Sequence, residues 1–474
     1  MSTTNAAPRR SGSGRPSQGR PSQARPNQGR PNQPRPVRLA PVVAPVLPAD
    51  LVVPTGPGSF VDLGVPEWLA APLAAQGLLE AFPIQTATLP DSLAGRDVLG
   101  QGRTGSGKTL AFALPIVARL AATPRKQGDL RPRALVLVPT RELAMQVEAV
   151  LAPLAAVKGM RTATIFGGVG AGPQLNALRA GTEIIVGCPG RLLDHLGTRA
   201  LDLSAIEITV LDEADHMADV GFLPMVIRLL DATPRVGQRM LFSATLAGGV
   251  DKVVNKYLQD PVSHAVATEA PVLADHHVLL MQGDDRLTVI SELARQQRVV
   301  VFTRTKHRAK QLAQRLSASG LATVDLHGNL SQPARTRNLE AFSSGAARVM
   351  VATDIAARGI HVDEVPLVIH ADPPVEHKAY VHRSGRTARA GAAGTVVTIA
   401  THDQIGQVKD LLRLAKIEAT WSQLPGGGSG SVDVLSGATP RPYPSAGQLR
   451  STTPRPDNRG RRPAGHGRPT AGRR

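Results

Sequence analysis

The chain has 474 residues, room for two or three domains, and 42% of them are apolar, so sizeable cores can form. Its net charge is +18, and a single cysteine, Cys188, excludes an intrachain disulfide and favours a reducing compartment. No run of about 18 apolar residues predicts a membrane-spanning helix, and the N-terminus lacks the apolar stretch and cleavage site of a secretory signal. We therefore expect a cytoplasmic protein.

Most of the positive charge lies near the two ends of the chain. Residues 1–40 contain eight Arg and no acid, and residues 14–36 repeat a five-residue unit of the type Gly-Arg-Pro-Ser-Gln. Residues 425–474 contain nine Arg against Asp433 and Asp457. Such composition cannot bury enough apolar surface to offset chain ordering, so we predict disordered tails over 1–55 and 425–474. The tails are either flexible RNA tethers or solvated segments of biased composition.

Between the tails, short aliphatic runs alternate with longer segments of helical periodicity. The runs form two series, at 97–99, 134–138, 162–166, 183–186, 208–211 and 239–242, then at 277–281, 298–302, 322–326, 348–351, 367–369 and 395–399. Near-continuous Val, Ile and Leu runs are typical of strands covered on both faces by crossover helices. The pattern predicts an α/β fold with two doubly wound parallel sheets of about six strands each, over 56–262 and 276–424, joined by a linker at 263–275.

Polar motifs directly follow most of the predicted strands. They lie at 102–109, 139–141, 167–168, 189–191, 212–215 and 243–245 in the first series, and at 303–305, 327–328 and 353–354 in the second. Since open parallel sheets bind ligands at the carboxyl ends of their strands, these motifs are predicted to line shared edges.

The first motif matches a phosphate-binding loop. Its residues are Gly102, Arg103, Thr104, Gly105, Ser106, Gly107, Lys108 and Thr109. Glycines let backbone N–H groups turn towards phosphates, Lys108 reaches the β and γ oxygens, and the hydroxyl of Thr109 ligates Mg²⁺. The pattern lies between a predicted strand and an apolar helix, as this motif requires, so we predict an ATP site.

An acidic motif ends the strand at 208–211. Asp212 can hold Mg²⁺ through water, and Glu213 is placed to orient or deprotonate the attacking water. An isolated acidic tetrapeptide is more often a solvated loop. The preceding strand and the upstream phosphate loop favour the catalytic interpretation.

An arginine-rich motif lies nearly 300 residues after the phosphate loop. Arg386 and Arg389 are three residues apart, so on a helix they share one face. They are predicted to clamp the γ-phosphate as charge develops on it. The alternative is a surface or nucleic-acid-binding patch.

Taken together, the motifs make the chain resemble a DEAD-box ATP-dependent RNA helicase of the second helicase superfamily, over residues 60–424. The resemblance implies two tandem RecA-like domains that close over Mg-ATP and a short RNA strand. It also implies an adenine-reading element at Phe60, Gly77 and Gln85, a nucleotide contact at Gly359, and coupling through Ser243 and Thr245. For Gln85 the alternative is a helix cap.

By the same resemblance, a set of residues from both domains faces RNA. They are Pro139, Thr140, Arg141, Gly168, Gly190, Arg191, Gln332, Arg335 and Thr353. Hydroxyls, backbone amides and single arginines suit contacts to phosphate and sugar, so RNA binding is expected to be largely independent of sequence.

Several positions depart from the family pattern without removing a catalytic group. Leu78 stands where an aromatic residue often stacks on adenine, and Phe82 replaces a usual Thr. The remaining departures are Cys188, His361, Ser384 and Ala388, which replace a usual Thr, Asp, Ile and Gly.

The sequence thus predicts an RNA-stimulated ATPase that separates RNA duplexes locally or removes proteins from RNA. Two other interpretations stay open. One is a DNA-directed motor of the same superfamily, and the other is a non-catalytic RNA-binding or annealing protein that acts through its tails.

Overall fold

The computed structural model describes residues 44–45, 47, 53, 55–56, 58–102, 105–266, 274–281, 286–357, 365–388 and 394–424. Nearly all of both predicted tails lies outside the described residues, as do Arg103, Thr104, Gly359, His361 and Arg389. Within those residues, no helix is both long enough and apolar enough to cross a membrane. The described part contains two lobes, each built on one parallel sheet.

The first lobe extends from residue 58 to residue 266. In chain order it contains α1 Glu67–Ala74, α2 Pro83–Leu93, β1 Val98–Gln101, α3 Lys108–Ala122, β2 Ala134–Leu137, α4 Arg141–Ala156, β3 Thr162–Ile165, α5 Ala171–Arg179, β4 Ile184–Gly187, α6 Pro189–Gly197, β5 Ile208–Asp212, α7 Ala214–Asp219, α8 Leu223–Asp231, β6 Gln238–Ser243, α9 Val250–Tyr257 and β7 Val262–Ala265.

The second lobe extends from residue 274 to residue 424. It contains β8 Asp275–Met281, α10 Arg286–Gln296, β9 Val299–Thr303, α11 Lys306–Ala318, β10 Thr323–Leu326, α12 Gln332–Ser343, β11 Val349–Thr353, α13 Asp354–Ala357, β12 Leu367–His370, α14 His377–Ser384, β13 Thr395–Thr401, α15 Ile405–Ala415 and β14 Thr420–Gln423. A short 3₁₀ helix, His402–Gln404, precedes α15.

The two sheets have the same topology. The strand order is β3-β4-β2-β5-β6-β1-β7 in the first and β10-β11-β9-β12-β13-β8-β14 in the second, and neighbouring strands are parallel. Each strand of one lobe therefore has a counterpart in the other. This arrangement confirms the predicted pair of doubly wound sheets.

Both faces of each sheet are buried under helices. In β2, Ala134 and Val136 pack with apolar residues of α2, α3 and α4, whereas Leu135 and Leu137 pack with α6, α7, α8 and α9. In the second lobe, adjacent residues of β9 alternate in the same way between two clusters. Burial on both sides explains why the central strands read as continuous aliphatic runs.

The predicted count of about six strands was too low, because the described part of each sheet has a seventh strand at one edge. These strands are β7, paired with β1, and β14, paired with β8. Their sequences, Val-Ser-His-Ala and Thr-Trp-Ser-Gln, are at least half polar because edge strands are only partly covered. Strand β7 extends into the first three residues of the predicted linker.

Candidate nucleotide and RNA site

The phosphate loop joins β1 to α3 and contains two glycines with left-handed backbone. Gly105 and Gly107 have φ of +86° and +88°, a region that side chains disfavour. Lys108 begins α3, and its buried Nζ donates a 2.8 Å hydrogen bond to the carbonyl of Gly102. The loop thus encloses an ammonium group at the N-terminus of a 15-residue helix.

The residues of this loop fit a phosphate group. The hydroxyl of Ser106 is buried and has no hydrogen-bond partner among the described residues. The N-terminal N–H groups of α3 and the ammonium of Lys108 both favour an anion. Thr109, half-buried in the first turn, and Asp212 are oxygen ligands of the type that Mg²⁺ uses when waters and phosphates complete its shell.

The acidic motif follows β5 and is buried. Asp212 accepts a 2.9 Å hydrogen bond at Oδ1 from the N–H of Glu213. Glu213 itself has φ of +51°, a conformation that costs a non-glycine residue about 1 kcal/mol and that is often found at functional sites. Oε2 of Glu213 lies 3.4 Å from Nδ1 of His216, which is also buried.

Charges from both lobes act on Glu213. Burial opposes ionisation of this carboxyl, but the hydrogen bond to His216 and the charges of Lys108 and Arg386 outweigh it and hold its pKa well below the usual range. Arg386, itself buried, belongs to the second lobe. The structure therefore brings the predicted lysine, acid and arginine into one electrostatic environment.

Arg386 does not lie on a helix. Helix α14 ends at Ser384, Gly385 is its C-cap, and Arg386 lies in the turn that follows, where its N–H bonds to the carbonyl of Arg383 at 3.2 Å. The side chain of Arg383 is inside the lobe and pairs with Asp354, with Nη2 and Oδ2 2.8 Å apart. Arg383 thus fixes the segment from which Arg386 projects.

The coupling motif connects the phosphate loop to the acidic motif. The carbonyl of Ser243 accepts a 3.1 Å hydrogen bond from the N–H of Gly102, and its Oγ accepts one of 3.2 Å from the N–H of Asp215. Asp215 Oδ2 in turn accepts from the N–H of Thr245 at 3.0 Å. Strand β6, which carries Ser243, lies between β1 and β5.

A cavity of about 340 Å³ lies beside the phosphate loop. Its lining consists of Phe60, Gly77, Leu78, Leu79, Glu80, Phe82, Gln85 and Leu110. Gln85 Nε2 donates to the carbonyl of Gly107 and Oε1 accepts from the N–H of Phe82, both at 2.8 Å. Gln85 therefore caps α2 and ties it to the loop. Each of its polar atoms can still make one more hydrogen bond, to a base edge.

Three of the predicted RNA-facing residues meet in a contact between the lobes. Glu142 of α4 accepts hydrogen bonds at Oε1 from Arg335 Nε at 2.7 Å and from Gln332 Nε2 at 3.1 Å. Arg141 Nη1 donates to Gln332 Oε1 at 3.4 Å. Burial raises the pKa of Glu142, but the bonds from Arg335 and Gln332 more than offset it, so the pKa is lowered.

The remaining RNA-facing residues lie near the carboxyl edges of both sheets, in loops or at the ends of helices and strands. Pro139 precedes Thr140, whose Oγ1 caps α4 by accepting a 3.3 Å hydrogen bond from Leu143 N–H. The guanidinium of Arg141 packs against Gly168, which has φ of +77°. Other members of the set are Gly190 and Arg191 in α6 and Thr353 at the end of β11.

Sequence reasoning did not single out His216, Glu142 or Arg383. His216 directly follows the acidic tetrapeptide, so its position in the sequence could have identified it as a neighbour of Glu213. Glu142 and Arg383 lie within motifs, but nothing in the sequence pairs them with Arg335 and Asp354, which are distant in the chain. Cys188 precedes α6 without a capping hydroxyl, and burial raises its thiol pKa to about 12.

Two RecA-like lobes that share one phosphate site define a nucleoside-triphosphate-dependent motor. Comparison with known families agrees with this class. The profile of the DEAD/DEAH box helicases matches residues 82–253, and that of the helicase conserved C-terminal domain matches residues 284–391.

Individual relatives specify the family. The chain is 36% identical over 363 residues to the DEAD-box ATP-dependent RNA helicase CshA of Geobacillus kaustophilus, covering 76% of this chain and 77% of that protein. It is 41% identical over 356 residues to DEAD-box ATP-dependent RNA helicase 53 of Oryza sativa subsp. japonica. That match covers 73% of this chain but only 58% of the rice protein. The chain belongs to the DEAD-box ATP-dependent RNA helicases, a family of ATP-hydrolysing enzymes.

Solved structures agree with the fold. S. cerevisiae Dbp5 bound to RNA and ADP BeF3 superposes with a TM-score of 0.67 at 26% identity, covering 80% of this chain and 97% of that chain.

Proposed function

We propose that the chain is an RNA-stimulated ATPase that uses hydrolysis of Mg-ATP to separate RNA duplexes locally or to remove proteins from RNA. The observation that carries this proposal is the environment of Glu213, which interacts with Lys108 of the first lobe and Arg386 of the second. A carboxylate, a phosphate-loop lysine and a cation from another domain are the groups that phosphoryl transfer requires. Because they come from both lobes, turnover depends on how the lobes are arranged.

In the proposed mechanism, the chain binds the phosphates, orients one water and stabilises the developing charge. Lys108 and the N-terminus of α3 hold phosphate oxygens. Glu213 orients the water and accepts its proton as the water oxygen bonds to the γ-phosphorus and the bond from that phosphorus to the β–γ bridging oxygen breaks, which releases ADP and phosphate. Arg386 stabilises the negative charge that grows on the leaving group, ADP, an effect typically worth about 10³–10⁵ in rate. Bound through Thr109 and, by way of water, Asp212, Mg²⁺ would neutralise β and γ oxygens.

The RNA part of the proposal is supported by the contact between α4 and α12. Arg141 lies next to Glu142, and Gln332 and Arg335 reach Glu142 from the other lobe. A strand bound along these residues would contact both lobes at once. ATP and RNA would therefore favour the same closed arrangement, and a strand bent to fit it would lose its duplex partner.

We also propose that the arginine-rich C-terminal segment tethers RNA. Strand β14 ends at Gln423, at the same edge of the sheet as Thr353 on β11. Five strand spacings separate the two, or about 24 Å. The r.m.s. span of a flexible 50-residue chain is about 40 Å, so a tail that is disordered as its composition predicts would bring its arginines to RNA that leaves the core.

Two further assignments remain proposals. The first is the pair of domains at 56–262 and 276–424, with the inner end of the first moved to residue 266 because β7 pairs with β1; limited proteolysis can check these boundaries. The cytoplasmic location is supported by the use of a single cysteine and can be checked by cell fractionation.

The central test is Glu213→Gln in the full-length protein, with Glu67→Gln on an exposed helix position as the matched control. We expect Glu213→Gln to bind ATP and RNA, to lose at least about 100-fold in turnover, and to accumulate as a long-lived closed complex. Turnover by this variant at the rate of the wild type would refute the assigned role.

Two comparisons separate the other interpretations. Stimulation of ATPase activity by DNA as strong as by RNA of the same sequence would favour a DNA-directed motor, since only RNA offers 2′-hydroxyls. If removal of residues 1–55 and 425–474 abolishes strand separation or annealing while Lys108→Ala does not, the chain is a non-catalytic RNA-binding protein.

A further inference from the structure

Two aromatic rings line the cavity beside the phosphate loop, and they differ in accessibility. Phe60 is 3% exposed and belongs to the core of the first lobe, whereas Phe82 is 56% exposed. No other described residue of the lining is aromatic. Since a nucleobase stacks on the face of an accessible ring, Phe82 is the residue here that can offer one.

Phe82 lies next to the groups that would bind the phosphates and the base edge. A methyl group built on Gly107 would lie 2.5 Å from Cδ2 of Phe82 and 2.6 Å from Nε2 of Gln85. The ring and the amide therefore meet beside one residue of the phosphate loop. Two hydrogen bonds of 2.8 Å, from the backbone N–H of Phe82 to Gln85 Oε1 and from Gln85 Nε2 to the carbonyl of Gly107, hold the amide between the backbone of Phe82 and the phosphate loop.

The rest of the cavity suits a flat apolar ligand. Leu78 and Leu79 line it with side chains that are 41% and 47% exposed. Its volume of about 340 Å³ is in the lower part of the range of small-molecule sites. A base placed here would cover exposed apolar surface of Phe82 and both leucines.

We propose that Phe82 is the residue on which the adenine ring of ATP stacks. The proposal rests on the proposed function and specifies one of its binding contacts. Stacking tolerates any base, because every base has a π face, whereas the amide of Gln85 can pair with one base edge by donor and acceptor together. Phe82 then sets nucleotide affinity, and Gln85 sets the preference for adenine.

The test measures ADP binding to the full-length protein by calorimetry without RNA. Phe82→Leu keeps an apolar side chain but removes the ring, and is expected to weaken ADP binding about 5- to 20-fold. Phe82→Tyr keeps the ring and is expected to stay within about twofold of the wild type. The KM for ATP of Phe82→Leu should rise by a larger factor than its kcat falls, because a stacked base is held equally in the ground state and the transition state.

Leu130→Ala, at an exposed apolar position outside the cavity, is the matched control. A second measurement reports contact directly: the fluorescence of Phe82→Trp should be quenched by ADP, and that of Leu130→Trp should not. If the wild type binds ADP and Phe82→Leu binds it equally well, the stacking assignment fails while the proposed function stands. If the wild type binds no ADP, the proposed function fails as well.

Discussion

Ala388 has left-handed backbone in the segment that follows Arg386. Its φ is +53°, although its side chain carries a Cβ that clashes in this region. The family pattern has glycine at this position, which adopts the conformation without that clash. The strained residue therefore lies two positions from Arg386, the arginine that we propose acts on the γ-phosphate.

We predict that Ala388→Gly stabilises the second lobe by about 1 kcal/mol, since it removes the left-handed strain. The thermal midpoint should rise by about 2–4 °C. Ala341→Gly in the last turn of α12 is the control and should lower stability, by at most about 1 kcal/mol. A lower midpoint for Ala388→Gly would contradict the strain inferred from the backbone.

A buried polar cluster in the second lobe includes His370, Tyr380, Thr398 and His276. His370 Nδ1 lies 3.2 Å from Thr398 Oγ1, and His276 Nδ1 lies 3.0 Å from Tyr380 Oη. Burial lowers the pKa of His370 well below its usual value and that of His276 to about 4. Both imidazoles are therefore neutral in the folded protein at neutral pH.

We predict that stability falls as the pH is lowered from 7 to 5. Because the pKa values are lower in the folded state, the unfolded chain binds more protons once the pH drops below about 6.5. Each such histidine contributes at most about 1.4 kcal/mol per pH unit. His370→Phe should flatten the dependence of the urea midpoint on pH, whereas His402→Phe, at an exposed position, should not. Equal slopes for the two variants would exclude His370 as a cause.

At the scale of elements, helices α4 and α12 form a buried polar contact between the lobes. Glu142 and Arg335 are both buried, and Arg335 also donates to the carbonyls of His327 and Ala356, at 3.3 and 3.4 Å. A second pair, Asp219 at the end of α7 and Lys378 in α14, has its charged atoms 3.9 Å apart and is more exposed. Of the two, the buried contact is expected to contribute more to closure.

We predict that Glu142→Ala and Arg335→Ala each weaken RNA binding about tenfold in the presence of a hydrolysis-resistant ATP analogue, and much less without nucleotide. The double variant should lose about as much as either single variant, because both act through one contact. Arg337→Ala, at an exposed position of the same helix, is the control. Additive losses would show that the two residues act separately.

At the scale of the whole molecule, two ligands that favour the same arrangement of the lobes must each raise the affinity of the protein for the other. If the lobes close over ATP and RNA, the factor by which ATP tightens RNA binding equals the factor by which RNA tightens ATP binding. We predict equal factors when the affinity of each ligand is measured with and without saturating amounts of the other. Arg386→Ala should reduce both factors together. A change in only one of them would contradict a single closing step.

Much of the architecture could be predicted from sequence because both faces of the central strands are buried. Continuous aliphatic runs such as 134–138 and 298–302 mark those strands. The phosphate loop and the acidic motif could be recognised because the functional residues of each are adjacent in the sequence. The edge strands β7 and β14 have no such pattern, since one side of each lies open. They were found only in the folded structure.

The sequence by itself determined the local chemistry: the loop that ends in Lys108, the acid at Glu213, and the family to which the motifs belong. The tertiary structure decided which distant groups share one environment, as Arg386 does with Glu213, and Arg335 with Glu142. It also placed Arg386 in the turn that follows α14. The physical reason is that motif residues are adjacent in the chain, whereas contacts between lobes depend on the packing of elements nearly 200 residues apart.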